Sequence, residues 1–176
     1  MAELTAQERL QPALLDRLTD DEPDNRREPR EKRLITKQAL RRAVLRDLVW
    51  LFNASRPSDA EGLARFPHVE ASVLNFGLPS FSGKTASNLD VVELENSIRQ
   101  VIVRFEPRID PSTLLVRAML SPAQMDHHNV VSVQISGNLW AQPVPLELLL
   151  RTEVDLETGN VEIHDLTAAA FAPMSR

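Results

Sequence analysis

The sequence predicts an α+β fold in which N-terminal helices pack on a C-terminal antiparallel β-sheet. Three observations support this prediction. Apolar residues recur at helical spacing in two long segments before Phe105. Beyond Pro111 they alternate with polar residues, which is typical of strands that bury one face. The 176 residues, of which 43% are apolar, are enough to build a single core, so one main domain is expected.

The chain begins with a predicted arm. Between Glu8 and Leu18 four leucines lie at helical spacing, namely Leu10, Leu14, Leu15 and Leu18. So short a helix is stable only when its apolar stripe packs on another surface. Residues 19–30 contain no apolar residue and two prolines, so we interpret them as a polar linker. Residues 1–33 are therefore predicted to be an arm, residues 34–166 the main domain and residues 167–176 an alanine-rich flexible tail.

Two long helices are predicted in the main domain. The first covers Lys37 to Asn53, and its apolar stripe consists of Leu40, Val44, Leu48, Leu51 and Phe52. The second covers Leu89 to Phe105, with Ser87 or Asn88 placed to cap its N-terminus and a proline two residues beyond its end. Residues 54–89 hold many glycines and prolines and are predicted to form loops with one helical turn.

Strands are predicted after the second helix, at residues 114–120, 131–136, 144–156 and 161–164. In the third of these, every even position except Thr152 is apolar. One face of the sheet is therefore expected to be buried and the other to meet solvent or a partner. Glu157 to Asn160 form a tight turn that joins the last two strands in a hairpin.

The charge distribution narrows the classes of partner. The net charge is −5, yet residues 1–56 carry twelve basic and ten acidic side chains, with the basic ones concentrated between Arg26 and Arg46. Acidic residues are interspersed there and no aromatic residue precedes Trp50, so a solvated helix face or a docking site for an acidic protein is favoured over nucleic-acid binding. No apolar run approaches the ~20 residues of a membrane span, and no signal sequence is recognised. We expect a soluble, cytoplasmic protein with no membrane insertion.

The residues available for catalysis are few. The chain has no cysteine and no tyrosine, and its four histidines show no metal-ligand spacing, so neither a cofactor nor a metal is expected. We interpret His127 and His128 as part of a surface loop. Glu106 admits two interpretations: a general acid in an apolar site, or a carboxylate that accepts hydrogen bonds from Arg108 and pins the helix end to the sheet. A guanidinium beside a carboxyl lowers its pKa, which favours the structural interpretation.

Several segments, taken in chain order, carry a family resemblance. They are Leu14 to Leu18, the Arg-Asp-Leu…Asn helix segment Arg46 to Asn53, the Ser-Val-Leu-Asn-Phe-Gly-Leu-Pro loop Ser72 to Pro79, Glu106-Pro107-Arg108, and the Thr158-Gly159 hairpin. Together they resemble the lysozyme-like baseplate wedge family, known as TssE in bacterial type VI secretion systems and related to a wedge subunit of contractile phage tails.

The resemblance implies a structural, non-enzymatic subunit of the cytoplasmic baseplate, docked at the inner membrane complex, on which a contractile sheath assembles. It implies contacts with wedge proteins of the TssF, TssG and TssK type, and with sheath subunits that add a strand to the C-terminal sheet. The residues expected to bind partners are Glu106, Pro107, Arg108, Leu14, Leu15, Arg17 and Leu18. The alternative is a lysozyme-like peptidoglycan glycosidase that uses Glu106 as its general acid, a reaction that needs a second carboxylate across a cleft.

Overall fold

The computed structural model describes residues 13–19, 24, 35–57, 65–70, 72–81, 90–119, 130–141 and 145–167. Its helices are α1 (Leu14–Leu18), α2 (Lys37–Asn53), α3 (Pro67–Glu70) and α4 (Val91–Phe105), with a 3-10 turn at Val73–Asn75. Its strands are β1 (Leu115–Met119), β2 (Val130–Leu139), β3 (Leu146–Asp155) and β4 (Val161–Asp165). The helices precede the sheet in the chain, so the predicted α+β class is confirmed.

The four strands form one antiparallel sheet in the order β1-β2-β3-β4. Ile135 on β2 lies opposite Val116 on one side and Leu150 on the other, and all three side chains are buried. They belong to a single core that also contains the buried stripes of α2 and α4. Helix α4 packs beside β1, whereas α2 packs beside β4, so the two long helices cover opposite ends of the sheet.

The structure gives α2 the predicted bounds and shortens α4. Asp90 caps α4, because its Oδ1 accepts hydrogen bonds from the backbone N–H groups of Val92 and Glu93 at 2.9 and 3.2 Å. The prediction that Ser87 or Asn88 is the cap was therefore wrong. An aspartate immediately before a run of apolar residues is as good an N-cap as serine or asparagine, and here its position decides where the helix begins.

The region between the long helices contains two short helical turns, α3 and the 3-10 turn, instead of the single one predicted. The loop that follows is tied to the end of α2, since Leu78 N–H donates to Ala54 O at 2.8 Å. This close approach requires Gly77, whose φ is +116°. A Cβ at that position would lie 2.2 Å from the Ala54 carbonyl oxygen.

Two threonines are buried at positions that the pattern of apolar residues does not mark as part of the core. Thr152, the polar exception in the alternation of β3, still faces the core and donates its hydroxyl proton to Val133 O at 3.0 Å. Thr167, the first residue of the predicted tail, is buried and accepts a hydrogen bond from Leu149 N–H at 2.8 Å. The remainder of that tail, and most of the predicted arm outside α1, lie outside the described residues.

Candidate functional site: a charged corner

Glu106 is the residue directly after α4, and its backbone N–H still donates to Ile102 O. Its side chain turns inward and the residue is only 2% exposed. The carboxylate accepts a hydrogen bond from Arg108 Nε at 2.6 Å, a second from Arg108 Nη2, and a third from the Arg108 backbone N–H at 3.2 Å. Glu106 and Arg108 therefore form a bidentate ion pair across the intervening proline, the strongest arrangement for these two groups.

The ion pair extends to α2 and then to α1. Arg108 Nη2 also donates to Asp47 Oδ2 at 2.6 Å, and Asp47 Oδ1 accepts from Arg46 Nε at 2.9 Å. Arg46 Nη1 in turn donates to Asp16 Oδ1 on α1 at 2.5 Å. We call these five residues, Asp16, Arg46, Asp47, Glu106 and Arg108, the charged corner. Their charges alternate in sign, so each acid contacts at least one guanidinium.

The main chain at Arg108 is also fixed to the sheet. Its carbonyl accepts a hydrogen bond from Trp140 N–H at 2.7 Å, and Asp110 N–H donates to Asn138 O at 2.9 Å. Residues 108–110 therefore pair with the end of β2, along the same edge of β2 as β1. The interpretation of Glu106 as a carboxylate that pins the helix end to the sheet agrees with this geometry.

Both arginines of the corner are held in their charged form. Burial disfavours the charge on Arg108, but hydrogen bonds and attraction from Glu106 and Asp47 outweigh it, so the pKa of Arg108 lies above its ordinary value. The pKa of Arg46 is raised chiefly by its hydrogen bond to Asp16, against a desolvation penalty and with help from Asp47. The remaining nitrogen of Arg108, Nη1, is buried and meets no hydrogen-bond acceptor among the described residues.

The predicted site residues divide into a buried and an exposed group. Glu106 is buried and Arg108 partly buried, whereas Pro107 between them is exposed. Arg17 is exposed, and so are the arm leucines, at 71% for Leu14, 45% for Leu15 and 73% for Leu18. The structure brings the two groups together, because Asp16 in the middle of α1 forms an ion pair with Arg46 of the charged corner. Within the described chain α1 buries none of its own residues, and this ion pair is what ties its side chains to α2.

Four residues that hold this region together were not selected as site residues from the sequence, namely Asp16, Arg46, Asp47 and Asn53. Asp16 sits among the leucines of the arm, where an acidic residue is unremarkable. Asn53 ends α2, and its carboxamide both donates to Val161 O at 2.9 Å and accepts from Val161 N–H at 3.0 Å on β4. Asn53 closes the segment that carries the family resemblance, and this was the one signal that could have identified it.

The corner is poorly suited to acid catalysis. Glu106 and Asp47 are bound by the same guanidinium, and the Glu106 carboxylate, which accepts three hydrogen bonds from Arg108, is turned inward rather than toward a substrate. Among the described residues no group of three or more potential metal ligands occurs, and His127 and His128 lie outside them. Nor is any helix described in the structure both long and apolar enough to cross a membrane.

The charged members of the corner are engaged with one another and join α1, α2 and the segment after α4. In the comparison with family models, the model described as baseplate wedge protein gp25 matches residues 38–144, and the chain belongs to this family. The family comprises baseplate wedge components of contractile tails, where its role is structural. No curated protein and no solved structure matches the chain. The matched region includes nearly all of α2 and most of the corner, but α1, β3 and β4 lie outside it.

Proposed function

We propose that this chain is the wedge subunit of a type VI secretion baseplate, the TssE type, which bridges the wedge complex to the sheath and helps to initiate sheath assembly. The observation that carries the proposal is the convergence of three separate segments of the family resemblance. Three segments meet in the charged corner: helix α1, the start of the Arg46–Asn53 segment, and Glu106-Pro107-Arg108. They are joined by hydrogen bonds of 2.5 to 3.2 Å.

In this proposal the corner presents a surface to the wedge partners. Glu106 acts as a positioning residue, because its carboxylate is buried and fully used by Arg108. The groups that can touch a partner are the exposed Pro107, the accessible part of Arg108, and Leu14, Leu15, Arg17 and Leu18 on α1. The exposed leucines offer apolar contact area, and arginine is one of the residues that most often carry binding energy at protein interfaces.

The sheath contact is proposed at the outer edge of β4, at the end of the sheet beside which α2 packs. The hydrogen bonds Asp155 N–H to Asn160 O and Leu166 N–H to Leu149 O fix which residues face β3, so the main-chain groups of Val161, Ile163 and Asp165 point away from it. Asn53 already occupies those of Val161. Within the described part of the chain, the outward main-chain groups of Ile163 and Asp165 remain for an added strand. On the opposite edge the outward amide of Ala118 is taken by the Glu95 carboxylate at 2.7 Å, near the middle of β1.

The wedge contact is tested by co-expression with candidate TssF, TssG and TssK type proteins, followed by affinity purification. Wild type is expected to enter a stable complex, and Arg108→Ala to lose it. Arg151→Ala is the matched control, since Arg151 is an exposed arginine of the sheet that lies outside the corner. Leu14→Glu/Leu18→Glu is tested in parallel because it alters only exposed side chains of the arm and leaves the core intact. Full complexes with both the Arg108 and the leucine variants would refute the proposed interface.

The sheath contact is tested with Ile163→Pro. Proline at this position removes an N–H that points away from β3, so the fold is expected to persist while strand addition is blocked. Sheath polymers counted by electron microscopy should fall sharply in cells that carry Ile163→Pro, and Ile163→Val, which retains the N–H, should assemble normally. Normal sheath numbers with Ile163→Pro would exclude this edge as the site of addition.

A further inference from the structure

A groove lies between α1 and α2, next to the Asp16–Arg46 end of the charged corner. Its volume is about 430 Å³, within the range of ~300–1,000 Å³ typical of ligand sites. The residues that line it are Asp16, Ile35, Ala39, Arg42, Ala43 and Arg46. Three of them are apolar, and two of these are alanines, whose small side chains allow another chain to approach the surface of α2 closely.

The charges of the groove are unbalanced. Arg46 is neutralised by Asp16 and Asp47, with which it forms ion pairs at 2.5 and 2.9 Å. Arg42, one helical turn before Arg46, is exposed and has no acidic partner among the described residues. Among the described residues, the groove therefore combines an apolar floor with a cation, Arg42, that is available to bind a carboxylate.

We propose that this groove binds an acidic amphipathic segment of a protein partner, with a carboxylate on Arg42 and apolar side chains on Ile35, Ala39 and Ala43. The inference deepens the proposed function, on which it rests only for the identity of the partner as a wedge protein. Residues 19–30 of this chain are acidic at Asp20 to Glu22 but contain no apolar residue, so their composition supplies only the carboxylates and not the apolar side chains. A partner segment that carries both acidic and apolar side chains can bind Arg42 and cover the apolar floor at the same time.

Trp50 provides a signal for binding. Its ring centroid lies 5.1 Å from Cζ of Arg46, a residue that lines the groove, and the indole is about half exposed. The chain has two tryptophans, so a Trp140→Phe background leaves Trp50 as the only one. The probe is a synthetic helical peptide of about 14 residues with leucine on one face and glutamate on the other. A peptide with lysine in place of every glutamate is the matched control.

The expected result is a saturable change of Trp50 fluorescence with the glutamate peptide and none with the lysine peptide. Arg42→Glu should weaken binding by about tenfold or more, because it replaces an attractive contact by a repulsive one. Lys37→Glu makes the same change of charge on α2 outside the groove lining and should alter the affinity by less than about threefold. No binding of the glutamate peptide, equal binding of both peptides, or an equal effect of the two variants would overturn the proposal.

Three further outcomes show which of the proposals fails. Concentration-dependent dimerisation that Arg42→Glu abolishes, measured by light scattering, would assign the groove to a second copy of this chain and overturn the partner assignment. Peptide binding without assembly of the wedge complex would count against the proposed function alone. Assembly of the complex without peptide binding would overturn the groove inference alone.

Discussion

The two ends of the charged corner are made of the same chemistry in different surroundings. At one end the Glu106 side chain is 3% exposed and that of Arg108 23%, whereas at the other the values are 23% for Asp16 and 34% for Arg46. Charges removed from water are costly to leave unpaired, while exposed charges are readily solvated. The difference lies mainly in Glu106, so the Glu106 end is an integral part of the fold and the Asp16 end, which is partly exposed, is the weaker contact.

The largest effect is expected from the buried end. Glu106→Ala leaves Arg108 partly buried without its main counter-charge and should lower the free energy of unfolding by about 3 kcal/mol. Urea denaturation followed by circular dichroism measures this loss. Glu162→Ala, which removes a highly exposed glutamate of β4, should change stability by less than about 0.5 kcal/mol. A Glu106 variant as stable as the Glu162 variant would remove the distinction between the two ends.

The hydrogen bonds between Asn53 and Val161 join α2 to β4 without any charged group, and their removal should have an intermediate effect on stability. Asn53→Ala loses both hydrogen bonds to Val161, and the Val161 main-chain groups are left in partly buried surroundings. We expect a loss of about 2 kcal/mol together with faster amide exchange of β4. Asn53→Asp separates the two bonds, since it retains the acceptor for Val161 N–H and removes the donor. Unchanged exchange in both variants would show that α2 does not hold this edge.

The middle of the corner is measured by a double-mutant cycle. Asp47→Ala and Arg108→Ala remove the two sides of the 2.6 Å bond between α2 and the segment after α4. The coupling energy should be about 1 kcal/mol, because the bond is charge-assisted but partly solvated. Denaturation of the wild type, both single variants and the double variant yields the value. Strict additivity would mean that Arg108 is fixed by Glu106 alone.

The smallest effect on stability is expected at the partly exposed Asp16 end. Asp16→Asn should change the free energy of unfolding by less than about 1 kcal/mol, since it retains a hydrogen-bond acceptor and the pair is partly solvated. Hydrogen exchange is the informative measurement, because the amides of Arg17 and Thr19, bonded to Ala13 O and Leu15 O, should lose protection as α1 detaches. High salt should have the same effect on wild type. Protection that persists under both conditions would show that α1 is held by something other than this ion pair.

Much of the fold could be predicted from local pattern. The bounds of α2 follow from its apolar stripe, and the pairing of the last two strands follows from alternation and from the turn at Gly159, whose φ is +76°. The position of the α4 cap could not, because serine, asparagine and aspartate compete for the same role within four residues. The burial of Thr152 could not be predicted from hydropathy either, because a hydroxyl that is hydrogen-bonded to a neighbouring strand can be buried as well as a methyl group.

The sequence by itself determined the α+β class and the wedge family, because these depend on residues close together in the chain. Tertiary structure decided what those residues contact. Arg108 reaches Asp47 across 61 positions, Arg46 reaches Asp16 across 30, and Asn53 reaches Val161 across 108. Periodicity holds no information about such pairs, since which charge meets which is settled only when the helices pack on the sheet and bring them within hydrogen-bonding distance.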